Sequence, residues 1–343
     1  INSKFYLWLN SNIIILKIMI VGLGSIGKRH LKNILAIQNV EIIIYSKQTK
    51  SDIGNHKNIK IFDTLEQCLL EKPEIGFITN ETVNHIPIAI KLAKSGLHLF
   101  IEKPLSNTIS KIKTFTKLVE KQKLITLMGC NLRFHRCINE IKNLIDQKAI
   151  GNIISVKVEC GTYLPDWHPN ENYSKSYASR DDLGGGVVLT CIHELDYLYW
   201  FFGETQEVFS MTGKYSNLKI TASDLSAIIL KFKNNIIAEV HLDYFQKPEA
   251  RSCKIIGTKG TIIWDSISNE VKIYNFKKLK WESKLKIKKY DKNEMYVKEL
   301  EHFIQCVNKK KKTINDISQG EYVLKVALGI IKSSKLKKSI ALN

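Results

Sequence analysis

The sequence predicts an α/β protein: a doubly wound parallel sheet with helices on both faces, then a second α/β domain built on a large, mostly antiparallel open sheet. Three observations carry this. From Leu16 to about residue 128, short β-branched runs alternate with amphipathic helical segments. A glycine turn, GLGSIG, lies between the first such run and the first helix. Beyond residue 153 the alternation gives way to strands joined by tight turns, as in hairpins. At 343 residues the chain exceeds one small core and suits two domains, expected at 16–130 and 131–343.

The elements follow in order. KIMIVG is a strand, followed by a helix through Leu31 and Leu35, then the strands EIIIYS, IGFIT, LHLFI and LITLM. The helix in HIPIAIKLAKS ends before Gly96, a residue suited to the left-handed conformation past a helix end. A helix over 135–147 leads to a strand at 153–160, a polar and aromatic loop at 161–183 and an apolar helix at 184–202. The strands AIILKFK, IIAEVHLDYF, SCKIIGT, GTIIWD and EVKIYNF come next, with Lys233-Asn234-Asn235 as one of the turns. Helices at 292–309 and 317–335 close the chain. The run INSKFYLWLNSNIII at 1–15 reads as an extra segment ahead of a start near Leu16 or Met19.

Lys plus Arg number 52 against 33 for Asp plus Glu, a formal charge of +19 that favours anionic small ligands. The lysines are spread along the chain and not interleaved with aromatics, so no nucleic-acid surface is expected. Seven cysteines form no CxxC pair, which suits reduced thiols in a cytoplasmic protein. The apolar stretch from Ile13 to Gly22 is interrupted by Lys17 and falls short of the ~20 residues of a membrane span. No set of residues has metal-ligand spacing, and no metal is expected.

In GLGSIG, Gly22 permits the tight turn, Gly24 lets a pyrophosphate approach the backbone, and Gly27 lets the helix pack on the strand. The first helical residues, Ser25 and Ile26, offer unpaired N–H groups to phosphate. About 20 residues on, where an acidic side chain would hold a ribose 2′-hydroxyl, stand Ser46 and Lys47. With Lys50 and Arg29 they suit a 2′-phosphate, so the cofactor is NAD or NADP with a lean to NADP.

LHLFIEKPL places Glu102, Lys103 and Pro104 at the C-terminal end of a strand, where open parallel sheets present ligand-binding groups. Oxidising an alcohol by hydride transfer needs a group that takes the hydroxyl proton, a task for a desolvated lysine. GLGSIG, ITNETVNH, this EKP, NLRF at 131–134 and GGGVVLTCIHELD at 184–196 occur in one order. That order resembles the Gfo/Idh/MocA family of oxidoreductases from residue 16 onward. Within it, the stretch from Tyr163 to Trp200 resembles members from surface-polysaccharide and nonulosonic-acid sugar pathways.

The resemblance implies a Rossmann domain, a second domain whose sheet forms homodimer or homotetramer contacts, and a sugar, sugar-nucleotide or cyclitol substrate. It implies that Lys103 is the catalytic lysine, with Glu102 fixing it, and that Pro104 follows a cis peptide bond. Thr79, Asn80 and His85 match a loop that contacts the cofactor, and Asn131 and Arg133 match a segment near the substrate. His193 is the second proton-transfer candidate. Relatives often carry an acidic residue four positions earlier, where this chain has Leu189 and then Thr190, with Glu194 and Asp196 nearby. The loop residues Tyr163, Asp166, Trp167, His168, Tyr173 and Tyr177 combine flat apolar faces with polar tips suited to sugar rings. A sensor that binds the dinucleotide without catalysis is the rival reading.

Overall fold

The computed structural model describes residues 15–37, 39–46, 56–167, 169 and 171–342. The extra segment expected at 1–15 thus lies, but for Ile15, outside the described residues, as do Lys47, Lys50 and His168. The chain forms two units. One comprises Ile1–Gly129 with Tyr296–Gly320, the other Cys130–Met295 with Glu321–Asn343.

The first unit holds a six-stranded sheet in the order β3-β2-β1-β4-β5-β6, parallel throughout. Its strands are β1 (Leu16–Val21), β2 (Val40–Tyr45), β3 (Ile59–Phe62), β4 (Ile75–Ile78), β5 (His98–Glu102) and β6 (Thr126–Gly129). Between them run α1 (Ser25–Leu35), α2 (Leu65–Leu70), α3 (His85–Lys94) and α4 (Ile112–Lys121). Strands covered on both faces need continuous apolar runs, and IMIV of β1 and IGFI of β4 supply them. The edge strand β3 and α2 went unanticipated because IKIF is short and half-exposed, and its Lys60 turns outward to Glu41 and Glu71.

The core of this unit also includes a helix from far along the chain. Leu300, Phe303 and Ile304 of α8 (Glu294–Asn308) pack with Ile18, Ile20, Phe77 and Phe100. Phe77 and Phe100 stack with centroids 4.6 Å apart, and Phe303 meets them edge-on at 6.0 and 5.9 Å. The sequence placed this helix in a C-terminal domain running from 131 to 343. Its apolar stripe joins the first unit instead.

The second unit holds nine strands in the order β14-β13-β12-β11-β7-β10-β9-β8-β15, antiparallel apart from the pairing of β7 with β10. The central strands are β7 (Ile153–Tyr163), β9 (Leu225–Phe232), β10 (Ile237–Asp243) and β11 (Phe245–Gly257). The outer ones are β8 (Thr205–Gly213), β12 (Gly260–Asp265), β13 (Glu270–Asn275), β14 (Lys280–Lys286) and β15 (Ile340–Ala341). β14 (KWESKLK), not anticipated from the sequence, carries the charges and lysines of an edge strand. Helix α5 (Arg136–Asp146) lies where expected. The apolar helix expected at 184–202 is two, α6 (Val187–Thr190) and α7 (His193–Phe202), interrupted at Cys191 and Ile192. The end of the last helix, α9 (Ile317–Leu336), lies along β8, where Ser210 Oγ donates to the Ile330 carbonyl at 2.7 Å.

All seven cysteines are buried free thiols. No helix among the described residues is long and apolar enough to cross a membrane.

Candidate active site

The first unit carries the nucleotide-binding geometry. Gly22 has φ +92°, and a Cβ there would stand 2.8 Å from Asn80 Cα. At Gly27 a Cβ would meet the Gly22 carbonyl oxygen at 2.2 Å and Thr79 Oγ1 at 2.9 Å, so α1 rests on the turn with no room for a side chain. Gly24 differs: nothing lies within 4 Å of a Cβ built on it. Helix α1 opens beyond it with no side-chain cap and no acidic residue in its first turn. The N–H groups of Ser25, Ile26 and Gly27 at this helix start suit a pyrophosphate, and the open face at Gly24 gives it access.

Thr79 braces the turn, its hydroxyl donating to the carbonyls of Val21 at 3.0 Å and Gly22 at 2.8 Å. Asn80 lies against the same turn, with Oδ1 buried and lacking a hydrogen-bond donor among the described residues. These features fit a dinucleotide. Ser46 is buried just past β2 and brings no carboxylate. The Arg29 guanidinium lies 4.5 Å above the Tyr296 ring, so it is held by an aromatic face.

Glu102 ends β5, half-buried Lys103 follows it, and the Lys103–Pro104 bond is cis, as the resemblance implied. Glu102 is buried. Its Oε2 accepts the Lys103 backbone N–H at 3.2 Å and its Oε1 stands 2.8 Å from His30 Nε2. His30 escaped the sequence reading because, in GKRHLKN, it resembles its solvated neighbours.

His85 requires a correction. It was expected to contact the cofactor, but the ring is fully buried, with Nδ1 2.8 Å from the Pro104 carbonyl and Nε2 3.0 Å from the Asn80 carbonyl. Burial pushes its pKa down against the pull of both carbonyls and of Glu102. A ring enclosed in this way braces the loop and leaves no nitrogen for a dinucleotide.

The second unit carries the expected substrate residues. His193 opens α7 and is half-buried, while Thr190 ends α6 and is buried. Neighbouring acids do not substitute for the missing one, because each has an arginine partner. Glu194 Oε1 lies 2.8 Å from Arg251 Nε, and Asp196 binds Arg133. Arg133 is the second correction. It was expected near the substrate, but its side chain is fully buried in a 3₁₀ turn, Asn131–Phe134, and both carboxylate oxygens of Asp196 hold it at 2.8 Å. Burial opposes its charge, yet Asp196 holds the guanidinium pKa above its ordinary value. Asn131 is buried in the same turn.

The aromatic loop supplies a partial cluster. Trp167 meets Tyr244 edge-on at 5.7 Å and donates from Nε1 to Thr162 Oγ1 at 2.9 Å. Burial drives the pKa of the Tyr244 phenol well above the ordinary value, and Thr190 and Tyr177 lie nearby. Tyr163 lies under Lys247, whose Nζ is 3.5 Å from the ring centroid. Asp166 is exposed, and the Tyr173 hydroxyl accepts the Lys219 N–H, which ties that ring to the loop. Tyr244 and Lys247 escaped the sequence reading because HLDYFQKP reads as a strand end.

The model of the oxidoreductase family's NAD-binding Rossmann fold matches residues 16–130, and that of its C-terminal alpha/beta domain matches 142–342. The chain is 24% identical over 350 aligned positions to myo-inositol 2-dehydrogenase of Thermotoga maritima, covering 95% of this chain and 98% of that one. It is 30% identical over 146 positions to levoglucosan dehydrogenase of Pseudarthrobacter phenanthrenivorans, covering 41% and 37%. Among solved structures, levoglucosan dehydrogenase in complex with NADH superposes with a TM-score of 0.85 at 16% identity, covering 96% of this chain and 99% of that chain.

Proposed function

Because the chain belongs to the Gfo/Idh/MocA oxidoreductase family, we propose that it is a nicotinamide-dependent dehydrogenase acting on a CH–OH group of a sugar or sugar nucleotide. A cyclitol is the second reading, favoured by the inositol dehydrogenases among its relatives. The observation that carries the proposal lies within the first unit: Lys103 follows β5 in the same sheet whose first turn leaves a helix start open to a pyrophosphate.

When bound, the nicotinamide accepts or returns the hydride. The glycine turn and the start of α1 hold the phosphates. Lys103 takes the substrate hydroxyl proton as the C–H bond breaks, and returns it in the reverse direction. His193 serves as the second proton-transfer group, a role suited to an imidazole. Asn131, Tyr163, Asp166, Trp167, Tyr177 and Thr190 form the sugar-facing wall. Since Ser46 brings no carboxylate against a 2′-phosphate, NADP is accepted at least as readily as NAD. Exposed Ile154, Phe209, Met211, Ile229, Ile237 and Ile256 on strands of the nine-stranded sheet support association of the chain with itself.

The test is nicotinamide absorbance, with both dinucleotides, across inositols, levoglucosan, hexoses, hexose phosphates and nucleotide sugars. Turnover of one class, abolished in Lys103→Ala with dinucleotide affinity retained, supports the proposal. Tight dinucleotide binding without turnover of any compound would favour the sensor.

A further inference from the structure

Two buried imidazoles from two helices meet the Glu102–Lys103–Pro104 turn on either side of the lysine. His30, in α1, is enclosed by Phe77, Phe100 and Tyr296 at centroid separations of 5.5, 4.8 and 6.2 Å. Its Nε2 reaches Glu102 Oε1 at 2.8 Å, and the other oxygen of that carboxylate takes the Lys103 N–H. His85, at the start of α3, reaches the Pro104 carbonyl. Opposite Glu102 on β6 stands Gly129, where a Cβ would come within 3.0 Å of the carboxylate, so the slot is kept clear for it.

We infer that His30 and His85 are positioning residues that together set where the Lys103 ammonium stands, His30 through Glu102 and His85 through Pro104. The inference rests on the proposed role of Lys103. A lysine side chain is a flexible four-carbon arm, so its head is placed only as well as the backbone that carries it. Here the backbone is held before and after Lys103, and each holder is rooted in a helix whose start adjoins the dinucleotide turn: α1 at Ser25, α3 just past Asn80.

The donors can be assigned. His30 donates from Nε2, since that nitrogen faces a carboxylate, and Nδ1 has no hydrogen-bond partner among the described residues. His85 faces two carbonyls, which accept only. A neutral ring donates to one of them, and the shorter contact assigns the proton to Nδ1 and Pro104.

Paired amide substitutions test this, because Gln carries an N–H where His carries Nε2 and Asn carries one near Nδ1. His30→Gln keeps the donor to Glu102, and His30→Asn withdraws it. His85→Asn keeps the donor to Pro104, and His85→Gln moves it toward Asn80. The full-length variants are compared in two ways. One is the kcat and dinucleotide KM on whichever compound the panel identifies. The other needs no substrate: trace acetylation of Lys103 by acetic anhydride relative to exposed Lys113, quantified by peptide mass spectrometry.

A misplaced reacting group costs on the order of 10²-fold. His30→Asn and His85→Gln are therefore expected to lose about that much kcat, with little change in dinucleotide KM, and to shift the Lys103 to Lys113 ratio. His30→Gln and His85→Asn are expected to keep most of both. A role in folding alone would move the two members of each pair alike, and that result overturns the inference, as does an acetylation ratio equal to wild type in all four. Retained turnover in Lys103→Ala would sink the reading of Lys103 itself, while a dead Lys103→Ala with four unaffected histidine variants would sink only the positioning role.

Discussion

Arg133 and Asp196 form a buried, two-pronged ion pair, with Nε and Nη2 of the arginine each donating to a separate carboxylate oxygen at 2.8 Å. The pair fastens the 3₁₀ turn Asn131–Phe134 to α7. Removing one partner leaves the other's charge buried without compensation, which costs about 3–5 kcal/mol. Arg133→Leu alone should lower the free energy of unfolding, read from urea titration, by that amount. Arg133→Leu with Asp196→Leu should recover most of the loss, because the double change removes both charges. A double variant no more stable than the single would show that the guanidinium has a further essential partner.

Two histidines should make opposite contributions to the pH dependence of stability. His241 donates toward Asp243 Oδ2 at 3.0 Å, and that hydrogen bond raises its pKa despite partial burial. The folded state therefore binds its proton more tightly. The stabilisation is complete below the unfolded value of about 6.5 and fades as pH rises through the raised folded one. His85 has its pKa lowered by burial, so its neutral form stabilises fully above about 6.5 and loses ground as the medium turns more acidic. Melting curves against pH should show His241→Gln trailing wild type on the acid side and converging with it toward alkaline pH. His85→Asn should flatten the acid-side decline. Parallel curves for wild type and either variant would contradict the corresponding assignment.

Gly24 and Gly27 should respond differently to the same methyl group. A Cβ at Gly27 collides with the Gly22 carbonyl at 2.2 Å, so Gly27→Ala must push α1 off the sheet and lower the melting temperature. A Cβ at Gly24 enters open space at φ −62°, a conformation any residue adopts. Gly24→Ala should therefore change stability by no more than about 0.5 kcal/mol. Its methyl group stands where a pyrophosphate must approach, so dinucleotide affinity should fall at least about tenfold. Fluorescence titration with NADH and calorimetry on the same samples separate the two effects.

What could be read from the sequence follows a physical divide. Strand runs such as IMIV are buried on both faces, so their identity is written in consecutive apolar residues. The glycine turn was legible because its backbone needs are local. His30 and Arg133 were misjudged or missed because their surroundings come from distant segments: Phe77 and Phe100 enclose one, and Asp196 neutralises the other. Local spacing records that a residue lies on a helix or turn. It does not record which distant partner closes over it.

Phe303 makes the same point in a form open to test. The periodicity of EMYVKELEHFIQCVN announces an apolar stripe without saying which core receives it. The stripe is received by Phe77 and Phe100, edge-on, in a core otherwise built from residues before 130. Replacing this fully buried ring with alanine removes contacts on both and leaves a cavity, a loss of about 3–5 kcal/mol. Phe303→Ala should lower the melting temperature and weaken NADH binding together, since the same sheet carries the glycine turn. A fragment of residues 16–130 would leave the Phe77–Phe100 face uncovered. It should bind a hydrophobic dye and lack a cooperative melt, and joining residues 294–312 to it through a flexible linker should restore one. A fragment of 16–130 that melts cooperatively and binds NADH as the full chain does would show that α8 is dispensable to this core.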